Sequence, residues 1–322
     1  MRVLYLIQTF KNLPQIVRLV QTIRQSDPLG VVLISHNQEA FVLELVAFEG
    51  LTDVYVINVP SGCRIDFSLP ASYLAALERA HELGIRFDWV INLTGQCYPV
   101  RPLREFVSLL ERAQVDAFID HHQVFDEQGR GGGIWPYDEA HGRYHYQYYW
   151  RFTRTEPAWV WRKVLGVVRV MLHKIQPWVR IDTSYALQLG LRDRTNIVGE
   201  AFPLFGGSYY MTLSSRAASY LCEFTRSHPE IALYFSRMNT PSEVYPHTVL
   251  ANNPELKLSG EHHFFFDVND VSSKRGRSLT LKVKDLERLT ASGAFFARKF
   301  DPTIDSAVLD CLDQSVLDTT SV

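Results

Sequence analysis

Residues 1 to 60 constrain the fold most. Val3-Leu4-Tyr5-Leu6-Ile7 is an unbroken apolar run, Val31-Val32-Leu33-Ile34 is a second, and Val54-Tyr55-Val56-Ile57 is a third. Short runs of this kind suit strands covered on both faces. Between the first two, Ile16, Leu19, Val20 and Ile23 recur at helical spacing. Strand, helix, strand at this spacing requires a parallel sheet with right-handed crossovers, because a helix must carry the chain back before the next strand runs the same way. The expected class is α/β with a mostly parallel central sheet. Ligands of such sheets bind beyond the C-terminal ends of the strands. Those ends carry Gln8-Thr9 and Ser35-His36-Asn37, and no Gly-x-Gly-x-x-Gly is present, so a dinucleotide fingerprint is absent.

The rest of the chain is expected to follow in alternation. A helix presents Tyr73, Leu74, Leu77 and Ala80 on one face. Asp88-Trp89-Val90-Ile91-Asn92-Leu93-Thr94 then runs as a strand into the turn Gly95-Gln96-Cys97-Tyr98-Pro99. That turn reads as a plain strand-loop junction or as a loop at the binding edge. A helix over roughly 103–113 leads to the strand Ala117-Phe118-Ile119. Tyr144, Tyr146, Tyr148, Tyr149 and Trp150 are crowded together, either as a half-buried strand or as a surface that stacks on sugar rings. Residues 159 to 181 mix Trp161, Val164, Leu165, Val168, Met171 and Leu172 with Arg162, Lys163, Arg169 and Lys174. They fit a packed helix with snorkelling cations or a basic amphipathic helix making peripheral contact with a membrane. Gly206-Gly207 allows a bulge or the close approach of a ligand. Thr240-Pro241-Ser242-Glu243 reads as a capping box, with Thr240 at N-cap, Pro241 at N1 and Glu243 at N3. Asp285-Leu286 opens a last helix, and a polar tail is expected over 311–322.

Composition narrows the function. Apolar residues are 46% of the 322 and charged residues 21%, the balance of a folded globular protein. A net charge of −2 gives no field toward nucleic acid. Cys63, Cys97, Cys222 and Cys311 lie far apart without a Cys-x-x-Cys, as expected of reduced thiols in the cytoplasm. The opening strand has no basic n-region before it, and no run approaches a membrane span. A zinc hydrolase built on His121, His122, His262 and His263 fits poorly. Neighbouring residues of a strand point to opposite faces, and no His-Glu-x-x-His exists.

Near the C-terminal end, Arg298 and Lys299 sit side by side among Phe295, Phe296 and Phe300. A cation pair is ordinarily a solvated surface feature. Held against aromatic walls, it needs an anion, because an unpaired buried charge is costly. That anion is an internal carboxylate such as Asp301 or a ligand such as a diphosphate.

Several segments together resemble the core-2/I-branching β-1,6-N-acetylglucosaminyltransferase family, which includes the peptide xylosyltransferases, and most closely its short bacterial members. They are Tyr5-Leu6-Ile7-Gln8-Thr9, Val32-Leu33-Ile34-Ser35-His36, the stretch from Trp89 to Gln96, Gly206-Gly207-Ser208, Pro241-Ser242-Glu243 with Thr248, and Phe296-Ala297-Arg298-Lys299-Phe300-Asp301. The last is the most specific. The resemblance implies a GT-A type nucleotide-sugar fold in one domain, with a nucleotide-binding half over 1–120 and an acceptor-binding and catalytic half over 121–310. It implies an inverting glycosyltransferase that takes GlcNAc or xylose from a UDP-sugar with no metal or other cofactor. The acceptor would be a glycan, possible forms including a lipid-linked one, at the inner face of the cytoplasmic membrane.

By the same resemblance Glu243 is the general base. Lys299, with Arg298 beside it, and Arg277 bind the donor diphosphate, Arg275 being the alternative to Arg277. Gln8, Thr9 and Asn37 hold the uridine. Tyr144, Tyr146, Phe264, Phe265 and Phe266, with Gly207 and Ser208, line the acceptor. Three positions depart from the family pattern: Ser242 and Cys97 stand where Asp is usual, and Asn37 where some members carry Asp. A non-catalytic glycan- or nucleotide-binding protein on a degenerate transferase fold is the reading from another class. The chemistry suits the residues independently. The sequence has no Asp-x-Asp to hold a metal, and clustered cations can stabilise a leaving diphosphate instead.

Overall fold

The computed structural model describes residues 1–60, 62–125, 135–152, 159–183, 186–195, 197–267 and 278–317, without the side chains of 159–165. The first half runs β1 (Val3–Thr9), α1 (Leu13–Ser26), β2 (Val31–Asn37), β3 (Val54–Val59), α2 (Ser68–Glu82), β4 (Trp89–Thr94), β5 (Cys97–Pro99), α3 (Leu103–Glu111), β6 (Ala117–Phe118), β7 (His122–Gln123) and α4 (Tyr137–Tyr144). Then follow β8 (Tyr146–Phe152), α5 (Trp159–Ile175), β9 (Val179–Asp182), β10 (Leu187–Arg192), β11 (Phe205–Gly206), β12 (Thr212–Ser214), α6 (Ser215–Ser227), α7 (Pro229–Ser236) and α8 (Tyr245–Ala251). The chain continues through β13 (Leu258–Ser259), β14 (Phe264–Phe266), α9 (Leu286–Ala291), β15 (Phe296–Arg298) and α10 (Ala307–Leu317).

The central sheet has the order β13-β6-β12-β4-β1-β2-β3. Strand β1 lies parallel to both β2 and β4, with Leu4 opposite Val31 and Val90. Every residue of β1 is buried, and its two faces feed different cores. Val3, Tyr5 and Ile7 pack with Ile16, Leu19, Val20 and Ile23 of α1, whereas Leu4 and Leu6 pack with Tyr73, Leu74 and Leu77 of α2. The period of two along a strand thus places a helical layer on each side of the sheet. The α/β class with a mostly parallel sheet is the one observed. β12 is the antiparallel exception, pairing with β4 and β6. Strands β2 and β3 extend the sheet to one side of β1 and β4 lies on the other, so the strand order reverses between β1 and β4. A ligand crevice is expected there, beyond Thr9 and Thr94.

Two expectations are corrected. Residues 159–181 do not form one helix: α5 stops at Ile175, Gln176 and Pro177 turn the chain, and β9 begins at Val179. The described outer positions of α5 are exposed, so it is not a core helix. The polar tail is also wrong up to Leu317. Residues 307–317 are α10, which buries Val308, Leu309, Leu312 and Val316. Arg18 of α1 bonds Asp310 and Asp313 at 2.6 Å each, and Thr22 donates to Asp313 at 2.9 Å. The acidic residues that made the segment read as polar are its fastening. Among the described residues no helix is long and apolar enough to cross a membrane.

Candidate active site

Glu243 sits at the end of a short 3₁₀ turn, Pro241–Glu243, and the expected capping box is not formed. A box needs an extended N-cap residue. Thr240 is instead left-handed, at φ 54°, with no side-chain cap bond. Only the Glu243 backbone N–H returns to Thr240, donating to its carbonyl at 3.1 Å. The carboxylate turns away to two arginines. Arg64 donates to one oxygen, and Arg143 Nη1 donates to the other at 2.7 Å. Two guanidiniums outcompete one amide, since ion-ion hydrogen bonds are roughly twice as strong as neutral ones. Arg143 also holds Glu139 one helical turn earlier on α4. Burial pushes Arg143 down, but the charges around it, Glu243 among them, outweigh burial and raise its pKa above the usual arginine value. The Glu243 side chain is 12% exposed and Arg64 43%, so the carboxylate lies at a rim with one arginine behind it and one in front.

The glycines seat this base rather than a ligand. The Gly207 N–H donates to the Glu243 carbonyl at 3.0 Å. A Cβ on Gly207 would lie 2.3 Å from Asp120 Cβ, and one on Gly206 would lie 2.7 Å from the Trp135 ring. The Ser208 N–H donates to Asp120 at 3.1 Å, and the Ser208 carbonyl accepts from His247 Nε2 at 2.8 Å. The Gly207 and Ser208 backbone groups are thus engaged inside the protein.

The cation pair lies at the sheet edge. Arg298 ends β15, which pairs with β5 so that Arg298 faces Cys97, and with β14 so that it faces Phe266. The Phe300 N–H donates to the Gln96 carbonyl at 3.0 Å, and the Phe300 carbonyl accepts from Gln15 of α1 at 3.0 Å. These bonds hold Lys299 against the turn that follows β4, beside the point where the strand order reverses. The Arg298 guanidinium lies 5.1 Å over the Tyr210 ring, and its Nε is buried without a hydrogen-bond partner. Among the described residues neither Arg298 nor Lys299 makes a salt bridge. The Asp301 carboxylate accepts from the Thr303 hydroxyl and N–H at 2.7 and 3.1 Å. These bonds, with smaller pulls from Lys11 and Lys299, hold its pKa below the usual carboxylate value, but it forms no salt bridge with either cation of the pair.

Tyr210 lies beneath the Arg298 guanidinium. Burial pushes its pKa up, Arg298 pulls it down, and Arg64, the same arginine that holds Glu243, adds a smaller pull. Burial likewise pushes the Cys97 thiol up, against Arg298. Arg298 thus acts on two buried groups, the Tyr210 hydroxyl and the Cys97 thiol.

The remaining expected residues divide. Gln8 and Thr9 are at the edge, but their side chains are occupied. Gln8 donates to Ser72 at 2.6 Å and accepts from Tyr209 at 2.7 Å, and Thr9 pairs with His36 at 2.7 Å. Both side chains are engaged within the protein at the C-terminal ends of the strands. Asn37 is half-buried and accepts from the Glu39 N–H at 3.0 Å. Tyr144 is buried against Arg143 and Glu243, whose charges both act on its hydroxyl. Tyr146 is buried elsewhere and donates to the Pro177 carbonyl at 3.0 Å, so it does not line an acceptor wall. Phe264 is core, between Tyr210 and Phe296, and Phe265 faces Arg288. Phe266 alone of the three is a half-buried ring beside Tyr210 on the Arg298 side. Arg277 and its alternative Arg275 lie outside the described residues.

Arg64, Arg143, Trp135 and Tyr210 were missed. Only Arg143 leaves a local trace, its i,i+4 spacing from Glu139. An open cleft of about 1090 Å³ between α3 and the 260–263 and 292–295 loops is lined by neither Glu243 nor Lys299. The four histidines do not converge on a metal. His263 packs on Phe106 and Phe118 and His121 bonds the Ile119 carbonyl. Among the described residues no group of three His, Cys, Asp or Glu could hold one.

The described residues thus form a mostly parallel α/β sheet, with a carboxylate held by two arginines and a cation pair beside the turn that follows β4. A family model described as "Core-2/I-Branching enzyme" matches residues 3–264, and the chain belongs to that family of glycosyltransferases. The match ends before Arg298. The beta-glucuronosyltransferases GlcAT14B and GlcAT14A of Arabidopsis thaliana are 34% and 32% identical to it over 121 residues. That is 36% of this chain and 27% and 26% of theirs, so the match spans about a quarter of each relative. The solved structure of S. aureus TarS 1-349 in complex with UDP-GlcNAc is 12% identical over 46% of this chain and 39% of that one, with a TM-score of 0.29.

Proposed function

We propose that the protein is an inverting, metal-independent glycosyltransferase that moves a sugar from UDP to a glycan hydroxyl. The observation that supports this most is Lys299, without a salt bridge among the described residues, held against the turn that follows β4 by the Phe300 N–H to Gln96 carbonyl bond, in a chain whose Glu243 carboxylate is oriented by two arginines. A carboxylate has roughly four lone-pair sites. Two are taken by Arg64 and Arg143, which leaves Glu243 able to accept the acceptor hydroxyl's proton while both arginines hold it still. The hydroxyl oxygen attacks the anomeric carbon from the face opposite UDP, and the carbon–diphosphate bond breaks with inversion. Lys299 and Arg298, with Arg277, take up the charge that develops on the diphosphate.

The donor sugars proposed are GlcNAc and xylose. The names of the two plant relatives add glucuronate, whose carboxylate Arg64 would meet at the rim. Four cysteines, none in a disulfide, support a reducing compartment and a cytoplasmic reaction. UDP release from UDP-GlcNAc, UDP-xylose and UDP-glucuronate, with glycan acceptors and excess EDTA, tests the proposal. Turnover is expected to survive chelation. Activity lost to EDTA and restored by Mn²⁺ or Mg²⁺ overturns the metal-free mechanism. UDP-sugar binding with no turnover on any acceptor favours the non-catalytic alternative.

A further inference from the structure

The module made by α5 and the β8-β10-β9 sheet presents a surface that the candidate site does not use. Its helix divides cleanly at the described positions. His173 turns inward, its Nε2 accepting from the Ile181 N–H at 3.0 Å, and Arg169 reaches the Thr183 hydroxyl at 3.1 Å. Val167, Val168, Val170, Met171, Lys174 and Ile175 are all exposed. At 100° per residue these six fall on one continuous arc. Five of them are apolar, and Met171 and Ile175 are 63% and 79% exposed, so the arc lies in water rather than against the fold. Exposed apolar patches of this kind mark interaction surfaces.

Trp178 carries the patch past the end of the helix. It is 52% exposed, and the Arg194 guanidinium lies 4.7 Å over its ring. Arg192 follows closely, its N–H donating to the Trp178 carbonyl at 2.8 Å. Residues 146–195 contain nine Arg and Lys against three Asp and Glu, in a chain whose net charge is −2. The module is therefore a basic island on an otherwise acidic protein. An apolar arc, an indole at its end and arginines around it suit an anionic bilayer. The aliphatic side chains enter the acyl boundary, the indole sits at headgroup depth, and the cations meet lipid phosphates.

We propose that this module docks the protein on an anionic membrane surface. The inference concerns binding and does not depend on the catalytic reading. It has a consequence for the site, because Arg151 of β8 donates to the Ser236 and Met238 carbonyls at 3.0 and 2.7 Å, just before the turn that carries Glu243. A docked module therefore fixes the height of the candidate base above the lipid.

Co-sedimentation with vesicles tests the proposal. The wild-type chain is expected to bind phosphatidylcholine vesicles containing 30% phosphatidylglycerol, about tenfold more tightly than pure phosphatidylcholine, and to release in 0.5 M NaCl. Met171→Glu/Ile175→Glu places charge at two exposed positions, so folding and thermal midpoint stay unchanged while vesicle affinity falls at least tenfold. Arg192→Glu/Arg194→Glu should abolish the preference for anionic lipid. Failure of the wild type to bind the anionic vesicles, or full binding by the Met171/Ile175 variant, overturns the proposal. So does a wild type that ignores vesicles but self-associates through this face, read as a dimer that the same variant dissociates.

Discussion

At Glu243 a single carboxylate serves two purposes, holding Arg64 and Arg143 and, in the proposed mechanism, taking a proton. Glu243→Gln separates them. The amide keeps the shape and can still accept one hydrogen bond, but among the described residues Arg143 is then left with Glu139 as its carboxylate partner. A stability loss of roughly 1.5–3 kcal/mol is expected, the scale of a hydrogen bond to a charged group. General-base catalysis is worth about 10²–10⁴-fold, so kcat should fall by that factor while UDP affinity is retained. Turnover within a factor of three of wild type, on a folded variant, would remove Glu243 from the chemistry. Lys299→Ala is the complementary change. It should weaken UDP binding by roughly 1.5–3 kcal/mol, read by calorimetry, with the thermal midpoint of the free protein nearly unchanged, because Lys299 has no salt bridge to lose among the described residues. Unaltered UDP affinity would place the diphosphate elsewhere.

At the scale of elements, β11 and the turn before α8 act as one piece. The Gly207 N–H holds the Glu243 carbonyl, and no room exists for a Cβ beside Asp120. Gly207→Ala must push Asp120 or the Glu243 turn aside, at about 1–3 kcal/mol. Its expected signature is a fall in kcat larger than any change in UDP affinity, since Arg298 and Lys299, the proposed donor cations, lie at the end of β15 rather than on this piece. Equal loss of both would mean that the whole edge has moved. The same pair of elements shows what sequence can carry. β1, α1 and β2 were legible because burial follows a period of 2 or 3.6 along the chain, and the edge at Thr9 and Thr94 followed from their order. The environment of Glu243 was not legible, because Arg64 and Arg143 arrive from 179 and 100 residues away. The left-handed Thr240 was not legible either, since a β-branched residue rarely adopts that conformation. For Gln8 and Thr9 the place was legible but the surroundings were not. Their position follows from the strand, whereas their hydrogen bonds depend on Ser72, Tyr209 and His36, which only the fold brings near.

For the whole molecule, buried imidazoles set the response to acid. Burial pushes His247 down to about 4, against a pull from the Ser208 carbonyl, and does the same to His263. Unfolded histidine titrates near 6.5, so between pH 6.5 and about 4 the unfolded chain binds protons that the folded one refuses. The stability they contribute is complete above pH 6.5 and is lost as pH falls toward 4, at up to about 1.4 kcal/mol per unit for each group. Urea midpoints at pH 7.5, 6 and 5 should therefore decline, and His263→Phe, in a pocket already lined by Phe106, Phe118 and Phe295, should flatten part of that slope. A midpoint that is level from pH 7.5 to 5 would contradict this. A different consequence follows from the joining of β15 to β5. A chain is synthesised from its N-terminus, and about 200 residues separate Pro99 from the strand that completes its edge, a delay of roughly 10–40 s at ordinary ribosome speeds. Through that interval β5 waits without its strand partner, and the cavity that Phe295 and Phe296 will fill stays open. The edge at Cys97–Pro99 can therefore close only late in synthesis, and any function that needs Arg298 and Lys299 beside the turn after β4 waits until that strand has emerged.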